Sequence, residues 1–362
     1  MPSGQKIDGS EPTWPCFHAT ATITFEALKQ SALFPETGAH WGETTVVRIG
    51  LVVHPHWLEP ETPRLLTGRN SLFGSGRGML GPRERFTHKG TYGHVLVVAG
   101  SRGHAGAALL CGRGAYNAGA GLVTFYVPER LEPAMQVGLP EAMCLTDGNA
   151  DHLTRCPQLD RYDAVVVGPG IGQHPETAAM LAQLFAGIGG TPCVIDADAL
   201  NLIAADEALL DALPKRAILT PHPGEFARLA GEARTGYERL RLLISYESVL
   251  PLHAAIVVKG HYTVVTHSEG EKRWNFYHGN PGMATGGMGD VLAGVIAALS
   301  ARGAALESPR MDTLALDAAA LGVLAHARAG DLARDRWGED GITAGRVADE
   351  IGMALRAVYL DE

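Results

Sequence analysis

From residue 89 onward, the chain alternates short apolar runs with helical stretches, and this alternation constrains the fold more than any other feature. The apolar runs occupy residues 94–100, 122–127, 162–170, 192–200, 216–224 and 254–260. Continuous apolar runs of this length are typical of strands buried on both faces of a mostly parallel sheet, with helices covering each side. The sequence therefore predicts an α/β fold, and it leaves the strand order open.

The later part of the chain departs from this alternation. Residues 262–267 and 272–277 are expected to form two strands of an antiparallel excursion from the mostly parallel sheet. Helical stretches are expected at 105–121 and near 175–187, 224–231 and 236–250, and three more helices are expected to close the chain, at residues 289–301, 311–329 and 343–358.

The first part of the chain has a different pattern. Residues 1–58 contain short strand-like runs, and residues 59–88 are rich in Pro, Gly and Arg and are expected to form a linker to a domain over 89–362. A block of fewer than about 60 residues makes a poor independent core. We therefore expect the first block to be a docked appendage or the remnant of a larger domain.

The composition excludes several classes of protein. A chain of 362 residues with 46% hydrophobic residues can bury a large core, and its net charge of −9 disfavours nucleic acids and anionic membranes as partners. The five cysteines lie far apart with no C-x-x-C pair, which favours neither a disulfide framework nor a zinc site. We see no apolar signal segment and no run near the roughly 18 residues of a membrane span. A cytoplasmic protein with reduced thiols is expected.

Six consecutive predicted strands are followed by Gly, Asp, His or Lys. In open α/β sheets, ligands bind outside the carboxyl ends of the strands. The segments concerned are GSRGHAG (100–106), GPGIG (168–172), DADALN (196–201), TPHPGE (220–225), KGHYT (259–263) and the loop 280–290. Six such ends together indicate a nucleotide-binding or catalytic site at this edge.

The last of these loops precedes a strongly apolar helical pattern. Gly286, Gly287 and Gly289 let backbone N–H groups approach a ligand closely, and a helix N-terminus adds its own free donors. Asp290 lies where an anion would bind, which suits a group that takes a proton or holds a cation. The alternative is a helix-capping aspartate.

Several non-catalytic readings stay open for single motifs. GSRGHAG is not the dinucleotide fingerprint G-x-G-x-x-G, although Glu129 at the end of the next strand keeps a Rossmann oxidoreductase as a minor alternative. His222 could be a loop histidine, Asp196 and Asp198 could be caps, and Lys259 could be a strand-end lysine. The sequence contains no P-loop, so a phosphate group would have to be bound by a different motif.

Taken together, the motifs resemble one family. KGTYGHVLVVAGSRGHAGAALL, VVVGPGIG, VIDADALN, LTPHPGEFARL, VVKGHYTVV and NPGMATGGMGDVLAGVIAAL resemble the ADP-dependent NAD(P)H-hydrate dehydratase family, in order over about residues 85–360. The resemblance implies a ribokinase-like fold. It also implies that the S epimer of hydrated NADH or NADPH is converted back to the dihydronicotinamide at the expense of ADP.

The resemblance also assigns roles to residues. It implies a nucleotide site at Lys259, Gly260, His261, Tyr262, Thr263, Gly286, Gly287 and Gly289. It implies a site for the hydrated dinucleotide at Ala107, Gly172, His222 and Asp290, with the choice among the alanines of 105–108 left open. Asp290 would be the catalytic base. Mg²⁺ would accompany the nucleotide, and we predict no metal ligands among the side chains.

The first block is similar to the closing segment of an NAD(P)H-hydrate epimerase domain. The part that would carry the catalytic residues of that domain has no counterpart in this chain, so we expect no epimerase activity; an incomplete gene and a degenerate remnant fit equally well. We expect a homo-oligomer. The rival functions are a ribokinase-like kinase for a small alcohol, such as a vitamin precursor, and a non-catalytic nucleotide-binding protein.

Overall fold

The structure, a computed structural model, describes most of the chain. It covers residues 1–12, 14–51, 79, 81, 83–268, 279–306 and 311–360, and the backbone of 64–66 and 272–275. The residues divide into two compact units, one of Met1–Thr62 with Ala230–Val249, and one of Pro63–Leu229 with Leu250–Glu362. Much of the predicted linker 59–88 lies outside the described residues, although 64–66 inside it form a strand.

The described strands are short. They are β1 Ala21–Phe25, β2 Glu43–Val47, β3 Arg64–Leu66, β4 His94–Val98, β5 Leu122–Val127, β6 Met143–Thr146, β7 Ala164–Val167, β8 Cys193–Ile195, β9 Ala217–Leu219, β10 Ala255–Val258, β11 Val264–His267 and β12 Lys272–Asn275.

The α-helices fall between and after these strands. They are α1 Pro35–Gly38, α2 Ala105–Asn117, α3 Glu132–Gly138, α4 Pro175–Gly187, α5 Asp198–Ala205, α6 Glu207–Asp211, α7 Pro223–Ala230, α8 Gly236–Tyr246, α9 Met288–Ala305, α10 Leu314–Trp337 and α11 Ala344–Leu360. The predicted helices at 175–187, 289–301, 311–329 and 343–358 correspond to α4, α9, α10 and α11. The sequence did not predict β3, β6, α1, α3, α5 and α6. The strands predicted over 192–200 and 216–224 are shorter than expected, because α5 and α7 begin inside those runs.

The larger unit is built on a ten-stranded sheet with the order β3-β12-β11-β10-β9-β8-β7-β4-β5-β6. β11 runs antiparallel to both of its neighbours, as expected, and the other pairs among the described strands are parallel. The chain moves outward from β4 to β6 and then returns to place β7 on the other side of β4. The loops after β4 and β7 therefore diverge, which makes this point of the sheet a natural place for a ligand.

The core lies where α9 packs against the sheet and against α2. The two helices approach so closely that a Cβ at Gly294 would lie 1.9 Å from the carbonyl oxygen of Cys111, and one at Gly114 would lie 2.4 Å from that of Val291. The small residues of α2 thus serve packing within this unit. α9 is long and apolar enough to cross a membrane by length and composition, yet 72% of it is buried inside the protein. It is the central helix of the core.

The smaller unit has a core of its own, around Trp41. The Trp41 indole N–H donates to Oε1 of Gln5 at 2.7 Å, and the Trp41 carbonyl accepts from Thr22 Oγ1 at 2.6 Å. Strand β1, which pairs in parallel with β2, buries Thr22 and Thr24 and exposes Ile23 and Phe25. Its apolar face is therefore turned to the outside of this unit.

Candidate active site

Lys259 lies at the carboxyl end of β10 and reaches across the ends of the neighbouring strands. Its Nζ lies 2.7 Å from Oδ1 of Asp196 and 3.8 Å from Oε2 of Glu225. Asp196 directly follows β8 and is only 1% exposed, and the Lys259 side chain is 19% exposed. Burial alone would lower the pKa of Lys259, but Asp196 and Glu225 raise it above its ordinary value. The ammonium group therefore stays charged between two buried carboxylates.

Asp290 is the third residue of α9 and faces the same group of charges. Burial, together with the carboxylates of Asp196, Asp198 and Glu225, raises its pKa to about 7, although Lys259 acts in the opposite direction. The carboxyl group is therefore about half ionised near neutral pH. A base is most effective when its pKa lies near the working pH, so Asp290 is suited to accept a proton.

His222 is held at the start of α7 by hydrogen bonds to one ring nitrogen and by a carboxylate close to the other. Its Nδ1 accepts from the backbone N–H groups of Gly224 at 3.0 Å and Glu225 at 3.3 Å. This assigns the ring proton to Nε2, which lies 3.3 Å from Oε1 of Glu225. The Glu225 carboxylate in turn accepts from the His222 backbone N–H at 2.8 Å. The ring is fixed, and its side chain stays 51% exposed to a ligand.

Gly172 is tied to the start of α5. Its backbone N–H donates to Oδ2 of Asp198 at 3.0 Å. Ala197, just before that helix, has φ of +52°, a strained value for a residue with a Cβ. The turn that places Asp198 beside Gly172 therefore holds Ala197 in a backbone conformation that alanine rarely adopts, as is often seen at functional sites.

Of the alanines in 105–108, Ala107 lies against the loop that carries Gly172. A Cβ at Gly170 would be 3.1 Å from the Cβ of Ala107 and 2.9 Å from that of His104. Ala108 is fully buried in the core and is closed to a ligand. The structure thus brings the predicted pair Ala107 and Gly172 to the same loop junction.

A cavity of about 390 Å³ opens beside this charged group. Its volume lies within the range of small-molecule sites. The lining residues are Lys259, Gly260, His261, Thr263, Asn280, Pro281, Met283, Ala284, Met288, Gly289, Leu292, Val323, His326 and Ala327. Five predicted nucleotide-binding residues are thus on its wall, and the remaining wall is largely apolar, as suits a flat aromatic base.

Three predicted nucleotide-binding residues are not part of this wall. Tyr262 stands edge-on to the ring of His261, with the ring centroids 4.6 Å apart. Gly287 precedes α9 with φ of +87°, and a Cβ there would come within 2.4 Å of Cδ1 of Leu110. Gly286 is exposed. In this structure Gly287 turns the chain into the helix, and the nucleotide-binding roles of these three residues stay predictions.

Two polar residues of the cavity were not among the predicted site residues. Asn280 holds its loop to α10 by donating to the carbonyl of Gly330 at 2.9 Å and to Oδ1 of Asp331 at 3.2 Å. His326 lies in the middle of α10, where a single histidine in an apolar helix gives no sequence signal. Burial, and then the charge of Lys259, lower the pKa of His326 to about 4 against the effect of a hydrogen bond to the Met288 backbone. The cavity therefore contains a neutral imidazole.

The carboxylates beside the cavity suit a hard cation. Asp196, Asp198, Glu225 and Asp290 surround a single lysine, and carboxylate oxygens are ligands that Mg²⁺ prefers. A cation carried in by nucleotide phosphates would relieve their mutual repulsion. The residues present therefore fit a magnesium nucleotide.

Comparison with known proteins shows the family and the fold of the chain. The profile of the NAD(P)H-hydrate dehydratase family matches residues 95–352. The chain belongs to this family. Its fold is ribokinase-like, as a solved ribokinase-like protein of Enterococcus faecalis superposes with a TM-score of 0.65 at 24% identity, over 85% of this chain and 99% of that one.

Two relatives extend the comparison beyond the fold. A bifunctional NAD(P)H-hydrate repair enzyme of Moorella thermoacetica is 37% identical over 98% of this chain, so that the match includes the first block, and this chain spans 66% of that enzyme. The ADP/ATP-dependent NAD(P)H-hydrate dehydratase of Bacillus subtilis, co-crystallised with ATP and Mg²⁺, superposes with a TM-score of 0.61 at 30% identity, over 78% of this chain and 96% of that one. The resemblance of the sequence motifs to this family is confirmed.

Proposed function

We propose that this chain dehydrates the S epimer of hydrated NADH or NADPH, using ADP, and so returns the dinucleotide to its reduced form. The observation that carries the proposal is Asp290, a carboxyl group with a pKa of about 7 in the first turn of α9, beside a cavity of nucleotide size. A relative in Listeria monocytogenes, named an ADP-dependent (S)-NAD(P)H-hydrate dehydratase, is 35% identical over 64% of this chain and 79% of its own length. It supports both the epimer and the co-substrate.

In the proposed first step, Asp290 takes the proton from the hydroxyl group of the hydrated ring. The ring oxygen attacks the terminal phosphorus of ADP, the bond from that phosphorus to the bridging oxygen breaks, and AMP leaves. This step turns hydroxide, a poor leaving group, into a phosphate ester. The backbone N–H groups of Met288 and Gly289, at the free end of α9, would stabilise the charge on the transferred group.

In the second step, phosphate leaves with its bonding electrons and the adjacent ring carbon loses a proton. The carbon–carbon double bond of the dihydronicotinamide is restored, and the net reaction converts ADP and the hydrate to AMP, phosphate and NADH or NADPH. His222, Gly172 and Ala107 would hold the hydrated dinucleotide on the side of Asp290 away from the cavity wall. Lys259, Gly260, His261, Thr263 and Gly289 would hold ADP.

Mg²⁺ would enter with the nucleotide, with Asp198 and Glu225 as side chains able to hold it alongside the phosphates. The ion supplies charge neutralisation on the phosphate oxygens. Lys259 would remain the fixed positive charge of the site, because Asp196 and Glu225 keep its pKa above the ordinary value.

The test is an assay of the purified chain with the hydrated S epimer, ADP and Mg²⁺. We expect dihydronicotinamide absorbance to return together with one AMP and one phosphate per turnover, and Asp290→Asn to remove most of this activity. A ribokinase-like kinase would instead produce a stable phosphate ester of a small alcohol. A non-catalytic nucleotide-binding protein would bind ADP without producing AMP. Either result would overturn the proposal.

A further inference from the structure

Three metal-ligating side chains meet away from the candidate active site. His152, His174 and Glu176 each offer one ligand atom, and these three atoms all lie within 4.8 Å of one another. Nε2 of His152 is 2.8 Å from Oε2 of Glu176, and Nδ1 of His174 is 3.6 Å from the same oxygen. Neither the proposed reaction nor the cavity uses any of them.

The cluster is built from two segments that are firmly joined. His152 belongs to the loop after β6, where its backbone N–H and that of Asp151 donate to Oδ1 of Asn149 at 3.2 Å and 2.9 Å. His174 and Glu176 stand at the start of α4. The buried hydroxyl of Thr177 joins the segments by donating to the Leu153 carbonyl at 2.8 Å. The three ligands are therefore already in place before anything binds.

The ligand set has the chemistry of a transition-metal site. Two imidazoles and one carboxylate are ligands found on Zn²⁺ and on related divalent ions. Metal–ligand bonds of about 2.0–2.2 Å separate neighbouring ligand atoms by roughly 3.4 Å in tetrahedral geometry, close to the separations seen here. The imidazole rings of His152 and His174 lie with their centroids 3.9 Å apart and are tilted by 33° to each other.

Exposure leaves room for the remaining ligands. The side chains of His152, His174 and Glu176 are 22%, 49% and 60% exposed, so an ion can enter from solvent and keep water in its open positions. Nδ1 of His174 also accepts from the backbone N–H of Glu176 at 3.2 Å. A metal on Nε2 of His174 would leave that cap intact, and a metal on Nδ1 would replace it.

We propose that His152, His174 and Glu176 form a binding site for one divalent transition-metal ion of the zinc class. The bound ion links the loop after β6 to the segment 168–174, which carries Gly172. It acts as a clip between these segments and takes no part in the chemistry at Asp290.

The test uses the full chain without a polyhistidine tag, stripped with a chelator. Zn²⁺ binding is measured by calorimetry, and Co²⁺ is used as an optical probe of imidazole ligation. We expect one equivalent of Zn²⁺ per chain and an upward shift of Tm on adding it. His152→Ala, His174→Ala and Glu176→Gln should each weaken Zn²⁺ binding by at least roughly tenfold, because each removes a ligand or its charge.

His18→Ala is the matched control. His18 stacks on His40 with the same centroid separation of 3.9 Å, which makes it a histidine pair outside the cluster. This variant should bind Zn²⁺ like the unaltered chain. Zn²⁺ binding that survives in all three cluster variants, that falls equally in His18→Ala, or that is absent from the unaltered chain would overturn the proposal. Because the readouts are binding and Tm, they are independent of the dehydratase assay.

Discussion

Two aspartates of the larger unit, Asp147 fully buried and Asp290 partly buried, have opposite surroundings. Asp147 directly follows β6, and Asp290 lies in the first turn of α9. The Asp147 carboxylate accepts five hydrogen bonds, from Tyr126 Oη (3.2 Å), the backbone N–H groups of Asn149 (3.2 Å), Thr154 (2.7 Å) and Arg155 (2.8 Å), and Thr154 Oγ1 (2.7 Å). Burial alone would raise its pKa, but these donors outweigh burial and the pKa lies below the ordinary value.

Asp290 is partly buried near other carboxylates, with Lys259 as the opposing charge, and its pKa rises to about 7. Burial acts on both aspartates in the same direction, so the hydrogen-bond donors and neighbouring charges decide between them. A carboxylate satisfied by fixed donors stabilises a loop. One that is crowded by like charges costs stability and gains a pKa suited to proton transfer.

The strongest test of this contrast is Asp290→Asn. We expect turnover to fall by roughly 10²–10⁴, since the amide cannot accept the proton. The free energy of unfolding should rise relative to the unaltered chain from about pH 4 upward, with the full gain above pH 7, because the variant removes a charge that the folded site disfavours. Steady-state kinetics and denaturant unfolding of the same preparation measure both. Turnover close to that of the unaltered chain would remove Asp290 from its proposed role.

Lys259→Met tests the opposing charge. The variant leaves Asp196 and Glu225 buried without their cation, and breaking such a pair costs about 3–5 kcal/mol of stability. We expect the lower end of this range because the Lys259 side chain is 19% exposed. ADP binding should weaken as well. Denaturant unfolding and ADP calorimetry measure the two effects, and an unchanged stability with normal ADP affinity would show that the lysine is dispensable.

Asp147→Ala should show the reverse pattern to Asp290→Asn. Loss of the carboxylate leaves the N–H groups of Thr154 and Arg155 without their acceptor, which costs about 1–3 kcal/mol. Turnover at a temperature where the variant is folded should match that of the unaltered chain. A large loss of turnover in folded protein would mean that this loop also serves the reaction.

Much of the larger unit could be predicted from the sequence. Continuous apolar runs identified β4, β5 and β7 to β10, and the helical stretch expected near 175–187 corresponds to α4. β6 was missed because it is short and only partly buried at the edge of the sheet. Its apolar run, Ala142 to Leu145, is only four residues long.

The candidate site was predictable only in part. Asp290, His222 and Lys259 follow a shared rule, because the carboxyl ends of parallel strands meet at one edge. The rule says nothing about which groups pair, so the ion pair of Lys259 with Asp196 appeared only in the structure. His326 reaches the cavity from the middle of α10, and such a position depends on how helices pack rather than on any local motif.

The two aspartates should produce different pH dependences, Asp290 in the activity and Asp147 in the stability. Asp290 must be ionised to act as a base, so kcat/KM for the hydrate should rise about tenfold per pH unit below 7 and level off above it. The Asp147 pKa is lowered on folding, so its stabilising effect is present at neutral pH and is lost as the pH falls below the ordinary range of an aspartate. A pH profile of kcat/KM for the unaltered chain tests the first expectation. Acid unfolding of Asp147→Ala, compared with that of the unaltered chain, tests the second. A kcat/KM that is flat between pH 5 and 8 would contradict the first expectation.

The smallest expected effect comes from Gly289→Ala, which tests how closely the Asp290 region is packed. A Cβ at this position would lie 3.1 Å from Nζ of Lys259 and 3.6 Å from Oδ2 of Asp196, so the ion pair would have to shift by a few tenths of an ångström. No positive φ is required at Gly289, so the helix itself should tolerate alanine and even favour it slightly. We therefore expect the KM for ADP to rise a few-fold, which corresponds to at most about 1 kcal/mol of binding free energy, and the stability to be unchanged. Gly106→Ala is the matched control, since a Cβ there meets open space in another helix of the same unit. If the two variants changed the KM for ADP equally, the close approach of Gly289 to Lys259 would have no special role in holding the nucleotide.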